Sequence, residues 1–205
     1  MSKFMRLAKS TTVATGLALA AMTSVPALAD HHAGATETVT VGGAEMLPTR
    51  NIVENASNSP IHTTLVAAVV QAGLVDTLAS PGPFTVFAPT DEAFGLLGAE
   101  TVSALMQDGA QAQLAQILTY HVVAGSVDAA TLIGMIEEAG GEVTLTTVEG
   151  SPLVASLDNG AVALSDELGG VSYVTQTDVP QSNGVIHVIN GILVPQPEAA
   201  AGADD

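Results

Sequence analysis

Five histidines, His31, His32, His62, His121 and His187, are the groups in this 205-residue chain best suited to move a proton or hold a metal. None of them falls in a pattern that does chemistry. No Gly-x-Ser-x-Gly elbow presents a serine nucleophile, and no His-Glu-x-x-His helix offers a zinc site. Cysteine is absent, which removes thiol nucleophiles, thiolate zinc sites and disulfides together. No Asp-x-Asp-x-Asp-Gly calcium loop is present. The acidic pairs Asp91-Glu92, Glu137-Glu138 and Asp166-Glu167 are sequence neighbours that read as solvent-facing, and no nucleophile is set beside a base. The chain reads as non-catalytic.

Single residues point the same way. His121 shares a helical face with Leu114, Ile117 and Leu118, where a core imidazole donating to a backbone carbonyl is expected. Tyr120 beside it reads as a half-buried anchor. His187 stands between Ile186 and Val188 in a strand, so alternation turns it to the opposite face, to cap or pair at an edge. His31-His32, next to Asp30, could capture a transition metal, but a flexible polar linker is the favoured reading of the pair. No metal and no other cofactor is assigned.

The segments that hold these residues begin with a leader. Lys3, Arg6 and Lys9, the apolar run Val13 to Met22 and the small-residue site Ala27-Leu28-Ala29 predict a signal peptide over 1–29. The run is shorter than the about 20 apolar residues that span a bilayer, so no membrane insertion is expected once it is cleaved. The formal net charge of −17 hides an asymmetry, because the leader holds three of the four basic residues. Cleavage leaves Arg50 against 21 acids, a charge near −20. Phosphate-rich nucleic acid and anionic lipid are excluded as partners. An exported protein, periplasmic or extracellular, is expected.

Residues 30–46 read as an acidic low-complexity linker, and 197–205 as a disordered tail. The block between them is a normal size for one domain. Ser59-Pro60 predicts a helix start, followed by Ile61, Leu65, Ala68, Val69 and Ala72 on one face and closed at Gly73. A β-type run over 83–88 gives way to a helix at Thr90-Asp91, and Val102 to Met106 marks another. Helices are predicted over the Leu114–His121 face and, after Ser126, over Leu132 to Ala139. The period then switches to two: Val143 and Leu145, Leu153 to Ala155, a hairpin at Asp158-Asn159-Gly160, then Val171 to Thr175 and Val185 to Val194. Helices followed by antiparallel strands predict an α+β domain, not a doubly wound α/β fold.

Three segments together resemble the fasciclin-like (FAS1) domain family: Phe84 to Phe94 (FTVFAPTDEAF), Leu118 to Val123 (LTYHVV) and Ser182 to Pro195 (SNGVIHVINGILVP). The resemblance covers 47–196. It implies a wedge-shaped β-sandwich with helices packed along one edge, and a secreted, non-catalytic module for cell adhesion or matrix and biofilm contacts with a protein or matrix component. It also implies partner-binding positions at Tyr120-His121 and at Asp178-Val179, the latter with Val where the family usually has Ile. The alternative is a carrier of an apolar small ligand, a pigment or lipid, on the same fold.

Overall fold

The computed structural model describes residues 38–196. The 1–29 leader, His31 and His32, and the 197–205 tail lie outside them.

Segment 30–46 is not a linker throughout. Val39–Val41 (β1) and Ala44–Met46 (β2) pair as a hairpin across Gly42-Gly43. Both glycines have positive φ, 60° and 89°, as a tight two-residue turn requires. Val41 and Met46 sink into the core. Strands of three residues are too short for a period-two pattern to stand out in the sequence.

Ile52–Asn58 (α1) opens with a reciprocal capping box between Asn51 and Glu54. The predicted helix start at Ser59-Pro60 is displaced. Ser59 is the C-cap of α1, and the next helix is Thr63–Gln71 (α2). Its first N–H groups are taken by Asp91, which accepts from Thr63 N at 3.2 Å and Thr64 N at 2.7 Å. The cap is supplied from another helix, so the local cap signal misleads. Val75–Ala79 (α3) leads to Phe84–Pro89 (β3), and Thr90 then caps Asp91–Leu97 (α4). Ala99–Leu105 (α5), Gln111–Tyr120 (α6) and Val122–Ala124 (β4) follow. Asp128, not Ser126, caps Ala129–Glu138 (α7). The remainder is strand: Glu142–Thr146 (β5), Pro152–Asp158 (β6), Ala161–Ser165 (β7), Val171–Gln181 (β8) and Gly184–Ile189 (β9).

Seven strands form one sheet in the order β4-β3-β9-β8-β7-β6-β5, antiparallel except for β3 with β9. A bridge between Val123 and Thr147, with Val148 N donating to Val122 O at 2.7 Å, nearly closes it. The middle strands are buried on both faces. Val86, Ala88, Ile186 and Val188 meet Leu65, Val69 and Leu118 of the helices. Phe87 and Ile189 point the other way, into a core with Leu132, Ile136, Leu153 and Leu164. The α+β class and the sandwich-like sheet flanked by helices match the expectation.

Several of the chain's acids are met by backbone N–H groups. Asp91 holds the start of α2, while Asp166 accepts from Gly170 N and Val194 N, and Glu167 from Gln196 N. Asp91 and Asp166 are half-buried and Glu167 is exposed, as the sequence suggested for it, and all three also carry structural bonds. Helix N-termini and turn amides favour carboxylates much as a cation would. The long-range repulsion of a strongly acidic chain remains. It is screened beyond about 8 Å at physiological ionic strength. The melting temperature is therefore expected to rise with added salt; a thermal melt that does not move with salt would contradict this.

Candidate functional site

Tyr120 and His121 end α6 and face inward. Tyr120 is 0 % exposed and donates from its hydroxyl to Pro152 O at 2.8 Å. Burial, together with the charges of Glu167 and Asp166, pushes its phenol up to about 12. It is more deeply buried than the half-buried anchor expected.

His121 is 2 % exposed and wholly satisfied. Its Nδ1–H donates to Ile117 O at 2.8 Å, and Nε2 accepts from Leu193 N at 3.0 Å. The core imidazole donating to a carbonyl is thus the arrangement found. Both bonds suit the neutral ring, and burial lowers its pKa to about 4, against the pull of the Ile117 carbonyl and Asp166.

His187 occupies the same core. Its ring stacks on Phe87 at 5.7 Å and 27°, and Phe87 N donates to His121 O. Nε2–H donates to Val127 O at 2.8 Å, while Nδ1 accepts from Asp178 N at 3.3 Å. The opposite-face placement holds, but the ring lies at the centre of the sheet rather than at an edge.

Asp178 sits where the β8–β9 register slips between Gln176 and Val179, with φ at +56°. Left-handed backbone there turns its side chain out of the sheet to α7, where Oδ1 accepts from Ala129 N at 2.7 Å. Asp128 accepts from Thr131 N, also at 2.7 Å. Two carboxylates therefore serve one helix start. Those bonds to Thr131, with a smaller attraction to His187, hold the Asp128 carboxyl below its ordinary range. Asp178→Ala is expected to lower stability by about 1 kcal/mol, the usual worth of a helix cap. A chemical denaturation midpoint equal to that of wild type would contradict it.

Of the four sequence-predicted positions, Tyr120, His121 and Val179 are buried, and Asp178 alone is exposed. A path joins them: Asp178 to His187, the ring stack to Phe87, and Phe87 N to His121 O. Sequence reasoning missed Asp178's tie to α7, because only the bulge brings Ala129 within reach.

It also missed a serine beside a histidine. Ser59 Oγ lies 2.7 Å from His62 Nδ1, both residues 3 % exposed, with the Asp91 carboxylate nearby. The types are those of a hydrolase triad, but the wiring is not. A triad sets Nε2 at the serine and Nδ1 at the carboxylate. Here Nδ1 lies at the serine and Nε2 has no hydrogen-bond partner, the ring borders a void lined by Val41, Met46, Ile52 and Val179, and the Ala88 carbonyl favours its charged form. The Asp91 carboxylate is spent on Thr63 and Thr64. Burial lowers the His62 pKa despite the attraction of Asp91.

A second void, about 30 Å³, lies between α1, α2, α3, α6 and β3, walled by Ile52, Leu65, Val69, Leu78 and Val86. An engineered cavity that admits benzene measures about 150 Å³. Among the described residues, no three His, Asp or Glu side chains are grouped to hold a metal ion, and no helix is long and apolar enough to cross a membrane.

The model of the Fasciclin domain family matches residues 60–195. Two proteins of Synechocystis are similar: uncharacterized protein sll1735, 43 % identical over 70 % of this chain and 97 % of its own length, and protein sll1483, 42 % identical over 70 % and 73 %. Immunogenic protein MPB70 of Mycobacterium bovis is 38 % identical over 68 % of this chain and 66 % of its own. Among solved structures, a FAS1 domain pair from the insect cell adhesion molecule fasciclin I matches with a TM-score of 0.64 and 20 % identity, over 72 % of this chain and 52 % of that one.

Proposed function

The chain belongs to the fasciclin-domain family, and on that premise we propose that it is an exported, non-catalytic interaction module. It contacts a protein or matrix component in cell adhesion or biofilm. The observation that carries this reading is the fate of the side chains capable of chemistry. Tyr120, His121 and His187 are each buried with their polar atoms bonded to backbone, and Ser59 with His62 is sealed in the α1–α2 corner. None of them is exposed at the surface to meet a substrate. Asp178 is the partner position with an exposed side chain, and Tyr120, His121 and Val179 act from within, by fixing the strands that carry it.

A surface coated with the purified protein is expected to raise attachment of the producing cells over an uncoated one. Equal attachment, with normal biofilm in a deletion strain, overturns the reading. The alternative, an apolar-ligand carrier, draws on the apolar void beside α1, which has to widen before a pigment or lipid enters. Mass spectrometry of protein taken directly from its host distinguishes the two, since a carrier brings a stoichiometric lipid or pigment with it.

A further inference from the structure

Helices α1 to α6 gather about β3 and β9, α7 covers the inner face of β5 and β6, and strands β5 to β8 turn their other face outward. Register places Glu142 opposite Ser156, Ser156 opposite Ala163, and Ala163 opposite Tyr173, so these four form one row across the sheet. Alternation adds Asp158 and Val171 to the same face, because each lies two residues from a member of that row. The reverse face carries Leu145, Leu153, Ala155 and Leu164 into the core. Val171 is 52 % and Tyr173 37 % exposed. The Tyr173 hydroxyl donates to Asp158 Oδ2 at 3.0 Å across β7, which sets a carboxylate at the rim of the ring.

Charge then selects the occupant. Residues 142–181 contain six acids and no lysine, arginine or histidine. Four of the six are engaged elsewhere: Glu149 by Ser151 N, Asp166 by Gly170 N, Glu167 by Gln196 N and Asp178 by Ala129 N. The other two, Glu142 and Asp158, lie on the open face. Asp158 also raises the pKa of Tyr173, first by accepting its hydrogen bond and then by its charge. An aromatic face beside a carboxylate favours a guanidinium or ammonium group twice, through the ring quadrupole and through the ion pair. A second copy of this acidic chain is repelled, and an acidic partner gains nothing.

We propose that the outer face of β5–β8 docks a basic polypeptide segment, with an arginine or lysine over the Tyr173 ring and against Asp158 while apolar side chains rest on Val171. This rests on the interaction reading above and gives its partner a chemistry. The probe is a labelled synthetic peptide of alternating arginine and valine, titrated with the purified protein by fluorescence anisotropy. Wild type is expected to bind it, more weakly as salt rises. The double variant Tyr173→Ser/Asp158→Asn is expected to bind about tenfold less tightly, as the loss of one cation–π contact and one ion pair implies. Glu100→Gln, which removes a charge on α5, leaves binding unchanged, and the double variant stays folded at the assay temperature because both side chains lie outside the two core clusters.

Equal weakening by Glu100→Gln, an undiminished double variant, equal binding of a glutamate-for-arginine peptide, or self-association through this face at low salt each overturns the proposal. The two readings fail separately. Cell attachment undiminished in the double variant removes this face and keeps the interaction module, whereas a wild type that supports no attachment removes the module itself.

Discussion

His121→Ala is expected to destabilise the protein by about 4 kcal/mol. The imidazole fills core space between α6 and the chain after β9, so its removal leaves a cavity of the kind that costs about 3–5 kcal/mol for large buried rings. It also strands the Leu193 N–H and the Ile117 carbonyl, which lose their partners inside the core. Such a loss is a large share of a domain's total stability. Urea denaturation measures it, and a change under 1 kcal/mol, roughly what an exposed side chain costs, would mean the ring is not a structural hub.

The same residue sets an acid limit. In the folded protein the His121 pKa is about 4, against 6.5 for an ordinary histidine. Between those values the unfolded chain binds a proton that the folded chain refuses, so stability falls as pH falls. The contribution is complete above pH 6.5 and lost towards pH 4, a change of about 3 kcal/mol. His62, lowered as well, adds in the same direction. Protonation of the many carboxylates relieves repulsion and works the other way near the acid end. The clean measurement is therefore the difference between wild type and His121→Gln. The variant is less stable throughout, but its curve is flatter between pH 6.5 and 4.5. Parallel curves would contradict the assignment.

Gly184→Ala is the second large effect. A Cβ at Gly184 would lie 2.0 Å from Phe84 O and 2.9 Å from Phe84 C, backbone atoms of the strand it pairs with. Backbone cannot swing aside as a side chain can, so β3 and β9 must part at the start of their parallel ladder. A loss of about 3 kcal/mol, at the upper end for overpacking, is expected. An unchanged thermal melt would show that the strands separate there without cost.

Much of this architecture is written in local pattern. The Asp158-Asn159-Gly160 signal gives the β6–β7 hairpin, with Asp158 paired to Ala161 as a two-residue loop requires. Thr90 before Asp91 marks the start of α4, and the period-four apolar face of α6 places His121 in the core. What local pattern does not carry is interaction at a distance. Asp91 caps a helix 28 residues earlier, and Asp178 reaches a helix 49 residues earlier from a bulged, left-handed backbone. The resemblance led to Asp178 as a contact residue. Its bond to Ala129 N adds a structural role, and any test of binding has to separate the two.

Asp178→Asn makes that separation. Asparagine keeps an oxygen for the Ala129 N–H and tolerates left-handed backbone, while it removes the charge that a partner would meet. The direct test is cell attachment to surfaces coated with wild type or Asp178→Asn, with the melting temperature of each taken in parallel. An exposed contact residue on an interaction module predicts weakened attachment at an unchanged melting temperature. Attachment equal to wild type would contradict it and leave Asp178 as a helix cap alone.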